Sequence, residues 1–127
     1  MNKLSAEKEA IKAVNTYIKG LNDKDPEKLA NSLHFPHIRS MKDGTFFEWH
    51  SPEEYMEAFK TRLKSSGWDH TKLINTSTEK LSASKVHVSI EFGRYTKSGA
   101  LIDNYKSLYV VINEQGYWGI KFGSGTG

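Results

Sequence analysis

The sequence predicts an α+β fold in which three N-terminal helices pack on a curved, mainly antiparallel sheet with a short early hairpin. Three observations carry this. Apolar residues recur at helical spacing near the start: Ile11, Val14, Ile18 and Leu21. Ser51-Pro52-Glu53-Glu54 is a capping box with proline at the first helical position. From Trp68 onward the helical period vanishes, and turn clusters divide the remainder into extended runs. At 127 residues the chain is read as one domain, 1–127, with 123–127 as a flexible tail.

The first helix starts at a Ser5 cap, with Glu7 and Glu9 near its positive end. Tyr17 joins its apolar stripe, and the helix ends between Gly20 and Asp23. Asp25-Pro26 caps and starts a short second helix with Leu29, Ala30 and Leu33 facing inward, stopped by Pro36. Asp43-Gly44 then marks a hairpin. A two-residue turn sets Lys42 opposite Thr45, Arg39 opposite Glu48, Ile38 opposite Trp49 and His37 opposite His50. In the third helix Tyr55, Met56, Phe59 and Leu63 form the buried stripe, while Lys60, Arg62 and Lys64 suit its negative end and Gly67 follows it.

Turns at Ser82-Ala83-Ser84, Ser98-Gly99-Ala100 and Glu114-Gln115-Gly116 leave four strands. Three-residue loops at the last two turns set Lys97 opposite Leu101 and Asn113 opposite Tyr117. The even residues Val86, Val88, Ile90, Phe92, Leu108, Val110, Ile112, Trp118, Ile120 and Phe122 then share one apolar face for the helices to cover. The odd face, with His87, Ser89, Glu91, Ser107, Tyr109, Val111, Tyr117, Gly119 and Lys121, is polar yet aromatic. It is read as a homodimer interface centred on His87, Ser89, Tyr109, Val111 and Tyr117. The run 69–81 alternates too poorly for its faces to be assigned.

Composition narrows the functional classes. Without cysteine there is no disulfide or thiolate metal site. The 18 Lys and Arg are interspersed with 15 Asp and Glu for a net charge of +3, so no basic face stands out for nucleic acid. No apolar run approaches the ~20 residues of a membrane span. The early acidic residues do not suit a secretory leader, so the expected compartment is the cytoplasm. The serine nucleophile and dinucleotide glycine signatures are missing.

Three stretches resemble the SnoaL-like branch of the NTF2-like superfamily, the cone fold shared with ketosteroid-isomerase-like and cystatin-like α+β proteins. They are Gly20-Leu21-Asn22 with Asp25-Pro26, the corner Phe35-Pro36-His37, and Ser107-Leu108-Tyr109-Val110 with Trp118-Gly119-Ile120. The resemblance implies a pocket between sheet and helices, its mouth or lining near the short hairpin. It spans isomerases, cyclases, dehydratases, epoxide hydrolases and binding modules without chemistry, so the fold alone selects no function. Where ketosteroid-isomerase-like members carry a carboxylate near the corner, this chain has His37.

His37 and Arg39 share one face of the corner strand, as proton carrier and anion holder. The bland counterparts are an Arg39–Glu48 cross-strand ion pair worth about 0.2–1 kcal/mol, a backbone-bonded His37, and Tyr17 as core with a satisfied hydroxyl. Tyr17, His34, Trp49, Tyr55, Phe59 and Trp118 are the expected ligand-binding residues. His34, His37 and His50 would have to converge to hold zinc, and no carboxylate supports them by spacing. Neither metal nor cofactor is expected. The first expectation is thus a small-molecule-binding domain for a hydrophobic or aromatic ligand. The alternatives are a cofactor-independent isomerase, cyclase or dehydratase using His37, and a protein-interaction subunit.

Overall fold

Serine and aspartate caps organise the helical layer. In the computed structural model, which describes residues 5–127, Ser5 accepts the Lys8 N–H at 3.2 Å and opens α1 (Ala6–Asp23). Met1 to Leu4, the start of the predicted domain, lie outside the described residues. The buried side of α1 is Ala10, Ala13, Val14, Tyr17, Ile18 and Leu21, with Ile11 at its margin. Asp25 caps α2 (Pro26–Ser32) through the Glu27 N–H, and Ser51 caps α3 (Pro52–Leu63) through Glu54. Tyr55, Met56, Phe59 and Leu63 are buried on α3 as predicted. Among the described residues, no helix is long and apolar enough to cross a membrane.

Leu33 ends α2 and begins β1 (Leu33–Ser40), three residues before the proline expected to stop the helix. The other strands are β2 (Phe46–Trp49), β3 (His70–Ser82), β4 (Lys85–Tyr95), β5 (Leu101–Glu114) and β6 (Tyr117–Gly125). They form one sheet in the order β2-β1-β6-β5-β4-β3, antiparallel except where β1 runs parallel to β6. That parallel pair welds the early hairpin to the last strand. The unassigned run is β3, an edge strand exposed along most of its length, with Thr71 buried near its start.

Three turns differ from expectation, and each moves side chains. The first hairpin loop is Lys42-Asp43-Gly44: Met41 N–H donates to Thr45 O at 2.8 Å, and Gly44 sits at φ 87°. A left-handed glycine closing a three-residue loop is a favoured hairpin geometry. It shifts the register by one, so Arg39 faces Phe47, Ile38 faces Glu48 and His37 faces Trp49. The predicted Arg39–Glu48 pair is therefore overturned.

At the β4–β5 turn Thr96 N–H reaches Ala100 O, with Gly99 at φ 90°, and a bulge follows between Arg94 and Tyr95. The β5–β6 turn has only two residues, Gln115 and Gly116, both at positive φ. Val86, Val88 and Ile90 consequently pair with Val111, Tyr109 and Ser107. The helices cover Val86, Val88, Ile90, Phe92, Tyr109, Val111 and Ile120, each large apolar side chain contributing about 1.5–3 kcal/mol by burial. Leu108, Val110 and Ile112 belong to the opposite face, as strand alternation requires. Phe122 joins them after a further bulge, beside Phe46. The ten-residue even face is thus corrected at β5 and at Phe122. Tyr109 and Val111, named as interface residues, are core at 2% and 0% exposure.

The stretch expected as a tail overlaps β6, which runs to Gly125. Gly123 to Gly125 pair with Tyr109 to Ser107, and Thr126 N–H donates to Lys106 O at 2.9 Å. A Cβ at Gly125 would collide with Ser107, so glycine is what lets the strands pass there.

Candidate functional site

The corner strand carries its polar side chains into the interior. His37 and Arg39 alternate inward on β1, at 0% and 4% exposure. The His37 Nδ1 lies 3.2 Å from Ile120 O, the backbone contact open to a corner histidine. Its ring sits 5.3 Å edge-on to Tyr55 and 6.2 Å from Trp49. Burial, and then the Arg39 guanidinium, lower its pKa from 6.5 to about 3, so the imidazole is neutral at ordinary pH. With Nδ1–H donating to Ile120, Nε2 is a buried acceptor without a partner.

Arg39 is held by tyrosines. Its Nη2 donates to the Tyr17 hydroxyl at 3.2 Å, and that hydroxyl shares a 2.5 Å hydrogen bond with Tyr55. The guanidinium carbon stands 5.3 Å from the Tyr109 ring and 5.8 Å from those of Tyr17 and Tyr55, a cation–π cage. Gly123 makes the room, since a Cβ there would come within 3.2 Å of Arg39 Nε and Nη2. Burial raises the Tyr17 pKa above its ordinary value and pushes Tyr109 up to about 12, so both hydroxyls keep their protons.

Outside this cage lie two adjoining cavities. One, of about 610 Å³, runs between β2 and α3 and is lined by Met41, Phe47, Trp49, Tyr55, Ala58 and Phe59 together with Glu54, Glu57, Thr61 and Arg62. The other, of about 730 Å³, shares Met41, Phe47 and Arg62 and continues to Arg94, Tyr105 and Thr126. Arg94 is 5% exposed, with its guanidinium carbon 4.5 Å from the Tyr105 ring. Its Nε, like Arg62 Nε and Nη2, is buried without a hydrogen-bond partner. Burial, and then Arg62, hold the Arg94 pKa below its ordinary value. Among the described residues no Asp or Glu is buried, and Arg39, Arg62 and Arg94 join no ion pair.

The expected ligand residues divide. Trp49, Tyr55 and Phe59 line the first cavity, and Tyr17 lies behind it, reached through Tyr55. His34 is elsewhere: its Nε2 is 3.1 Å from both Ile112 O and Tyr117 O, pinning β1 beneath the last turn. Trp118 lines a separate cavity of about 290 Å³ against α1, with Lys12 and Thr16. The register shift that overturned the Glu48 pairing also leaves His50 exposed while His34 and His37 are buried, and no metal-ligating cluster forms among the described residues. Arg62 and Arg94 were missed. Their signals were present: Arg94 is the next even residue after Phe92, and Arg62 follows Tyr55 by seven and Phe59 by three on the buried stripe.

A family model described as NTF2-like protein (DUF6841) matches residues 8–122. An NTF-2 like protein of unknown function from Shewanella oneidensis MR-1 superposes with a TM-score of 0.73 at 11% identity, over 95% of this chain and 98% of that one. A protein of unknown function with a cystatin-like fold from Nostoc punctiforme PCC 73102 gives 0.74 at 12% identity, over 94% and 89%. Hexachlorocyclohexane dehydrochlorinase LinA-type3 from Novosphingobium barchaimii LL02 gives 0.70 at 15% identity, over 94% and 85%. At these identities the likeness is one of fold. No curated protein matches the sequence.

Proposed function

We propose that this chain, which belongs to the NTF2-like family DUF6841, is a small-molecule-binding domain whose ligand lies between the early hairpin and α3. The observation that carries the reading is the 610 Å³ cavity faced by Phe47, Trp49, Tyr55 and Phe59, a size and lining that suit a compact apolar or aromatic compound. Acid–base chemistry at His37 is less well supported. A pKa of about 3 makes a weak base near neutrality, and His37 lines neither large cavity.

Ala58 is half-buried on the cavity wall, so Ala58→Trp fills the space without replacing a core side chain. A set of small aromatic compounds is expected to raise the melting temperature of the wild type, because ligands that favour the folded state stabilise it. The same compounds leave Ala58→Trp unshifted. Equal shifts in both proteins would move the ligand to another place.

The reading includes a homodimer through the outer sheet face, centred on Leu108, Val110, Ile112 and Phe122 beside His87 and Ser89. Sedimentation velocity measures this directly, and a monomer at micromolar concentration contradicts it.

A further inference from the structure

We infer that Arg62 and Arg94 form an anion subsite, so that the ligand is an apolar or aromatic carboxylic acid whose carboxylate lies between the two guanidiniums. This rests on the cavity reading above and names the chemical class of its ligand. The argument begins with unspent hydrogen-bonding capacity. Arg62 Nε and Nη2 and Arg94 Nε are buried donors with no acceptor among the described residues. Buried polar groups are ordinarily satisfied, and a buried charge is ordinarily paired. Arg94 is 5% exposed and faces the shared cavity, which Arg62 lines from α3.

The two guanidiniums border one cavity and one aromatic ring. Their central carbons lie 5.5 Å and 5.8 Å from the same Phe59 ring, and after burial the Arg62 charge is what disfavours the charge on Arg94. Two cations brought together in a half-dry space repel until an anion joins them. No carboxylate among the described residues, that of the terminal Gly127 beside the cavity and those of Glu54 and Glu57 in the adjoining one included, stands within ion-pair distance of either guanidinium. Asp43, the one acidic residue lining that cavity, accepts the Thr45 N–H at 2.9 Å within its own turn and makes no ion pair.

A carboxylate fits the planar fork of an arginine with two parallel hydrogen bonds. The remainder of the molecule continues past Arg62, which both cavities share, onto Phe47, Trp49 and Phe59. The site therefore selects a compound that is charged at one end and apolar at the other.

Isothermal titration with matched pairs tests this: 1-naphthoate against 1-naphthamide, indole-3-acetate against indole-3-acetamide, and decanoate against decanamide. In the wild type at least one acid is expected to bind tenfold or more tightly than its amide. In Arg62→Gln and in Arg94→Met that preference falls below threefold while the amide still binds. Arg62 is half-buried, so its variant carries the test if Arg94→Met fails to fold. Acids and amides binding the wild type alike, or a preference that survives Arg62→Gln, overturn the anion subsite and leave the cavity reading standing. If no member of any pair binds, both fall together.

Discussion

Arg39 is 4% exposed and Arg94 5%, and each keeps an unpartnered Nε, yet the chain goes further toward compensating the first. Around Arg39, the Tyr17 hydroxyl accepts from Nη2, three tyrosine rings enclose the charge, and Gly123 yields the space. Around Arg94 and its neighbour Arg62 the rings are present, but buried N–H groups point at nothing. Taking a cation out of water costs several kcal/mol even after relaxation, by about the same logic at either place. Where the fold supplies the compensating groups, the charge is architecture. Arg62 and Arg94 differ from Arg39 in bordering an open cavity, where the proposed anion would meet their unpartnered N–H groups.

Breaking the Arg39 cluster gives the largest effect. Tyr17→Ala removes a fully buried ring that touches Tyr55, Tyr109 and Arg39, and urea unfolding is expected to show a loss of about 3–5 kcal/mol. A loss below about 1 kcal/mol would mean that the cluster is not the keystone of the interior.

His37 gives the next effect, through pH. Its folded pKa, about 3, lies below the ordinary 6.5, so the unfolded chain takes up the proton first as pH falls. Its contribution is fully present above pH 6.5 and drains away as pH drops toward 3. At 1.36 kcal/mol for each pH unit, lowering the pH from 7 to 4 should reduce the unfolding free energy of the wild type by roughly 3 kcal/mol more than that of His37→Gln. Parallel pH profiles for the two proteins would show His37 to be solvated or paired.

Gly123→Ala sharpens the contrast at smaller scale. Its Cβ would crowd Arg39 and Tyr109 at 3.1–3.2 Å, an overpacking cost of about 1–3 kcal/mol by denaturant melts. An unchanged midpoint would show that the Arg39 cage is loose.

The helical layer was legible because its period is long and its caps are chemical. Ser5, Asp25 and Ser51 each cap where the residue pattern placed them. The hairpins were less legible. At Gly44 a loop of three residues where two were expected, and past the Gly99 loop one bulged residue between Arg94 and Tyr95, are each enough to turn a whole strand over. This sent Tyr109 and Val111 inward and Leu108, Val110 and Ile112 outward, and it separated Arg39 from Glu48. Trp49, Tyr55 and Phe59 line the first cavity, and they could be singled out because aromatic side chains beside a hairpin stand out in the chain. Arg94 was overlooked because the inward alternation was followed only through apolar residues. Arg62 was overlooked because its place at the helix end already had an electrostatic explanation.

The three tryptophans stand in three different places: Trp49 in the cavity between hairpin and α3, Trp118 against α1, and Trp68 beside Lys24 with its indole N–H on Thr71. One ¹H–¹⁵N spectrum therefore reads three sites through their indole signals. On titration with the acid that binds best, the Trp49 signal is expected to move saturably while those of Trp68 and Trp118 stay in place. Movement confined to Trp68 or Trp118, with Trp49 unchanged, would contradict the account.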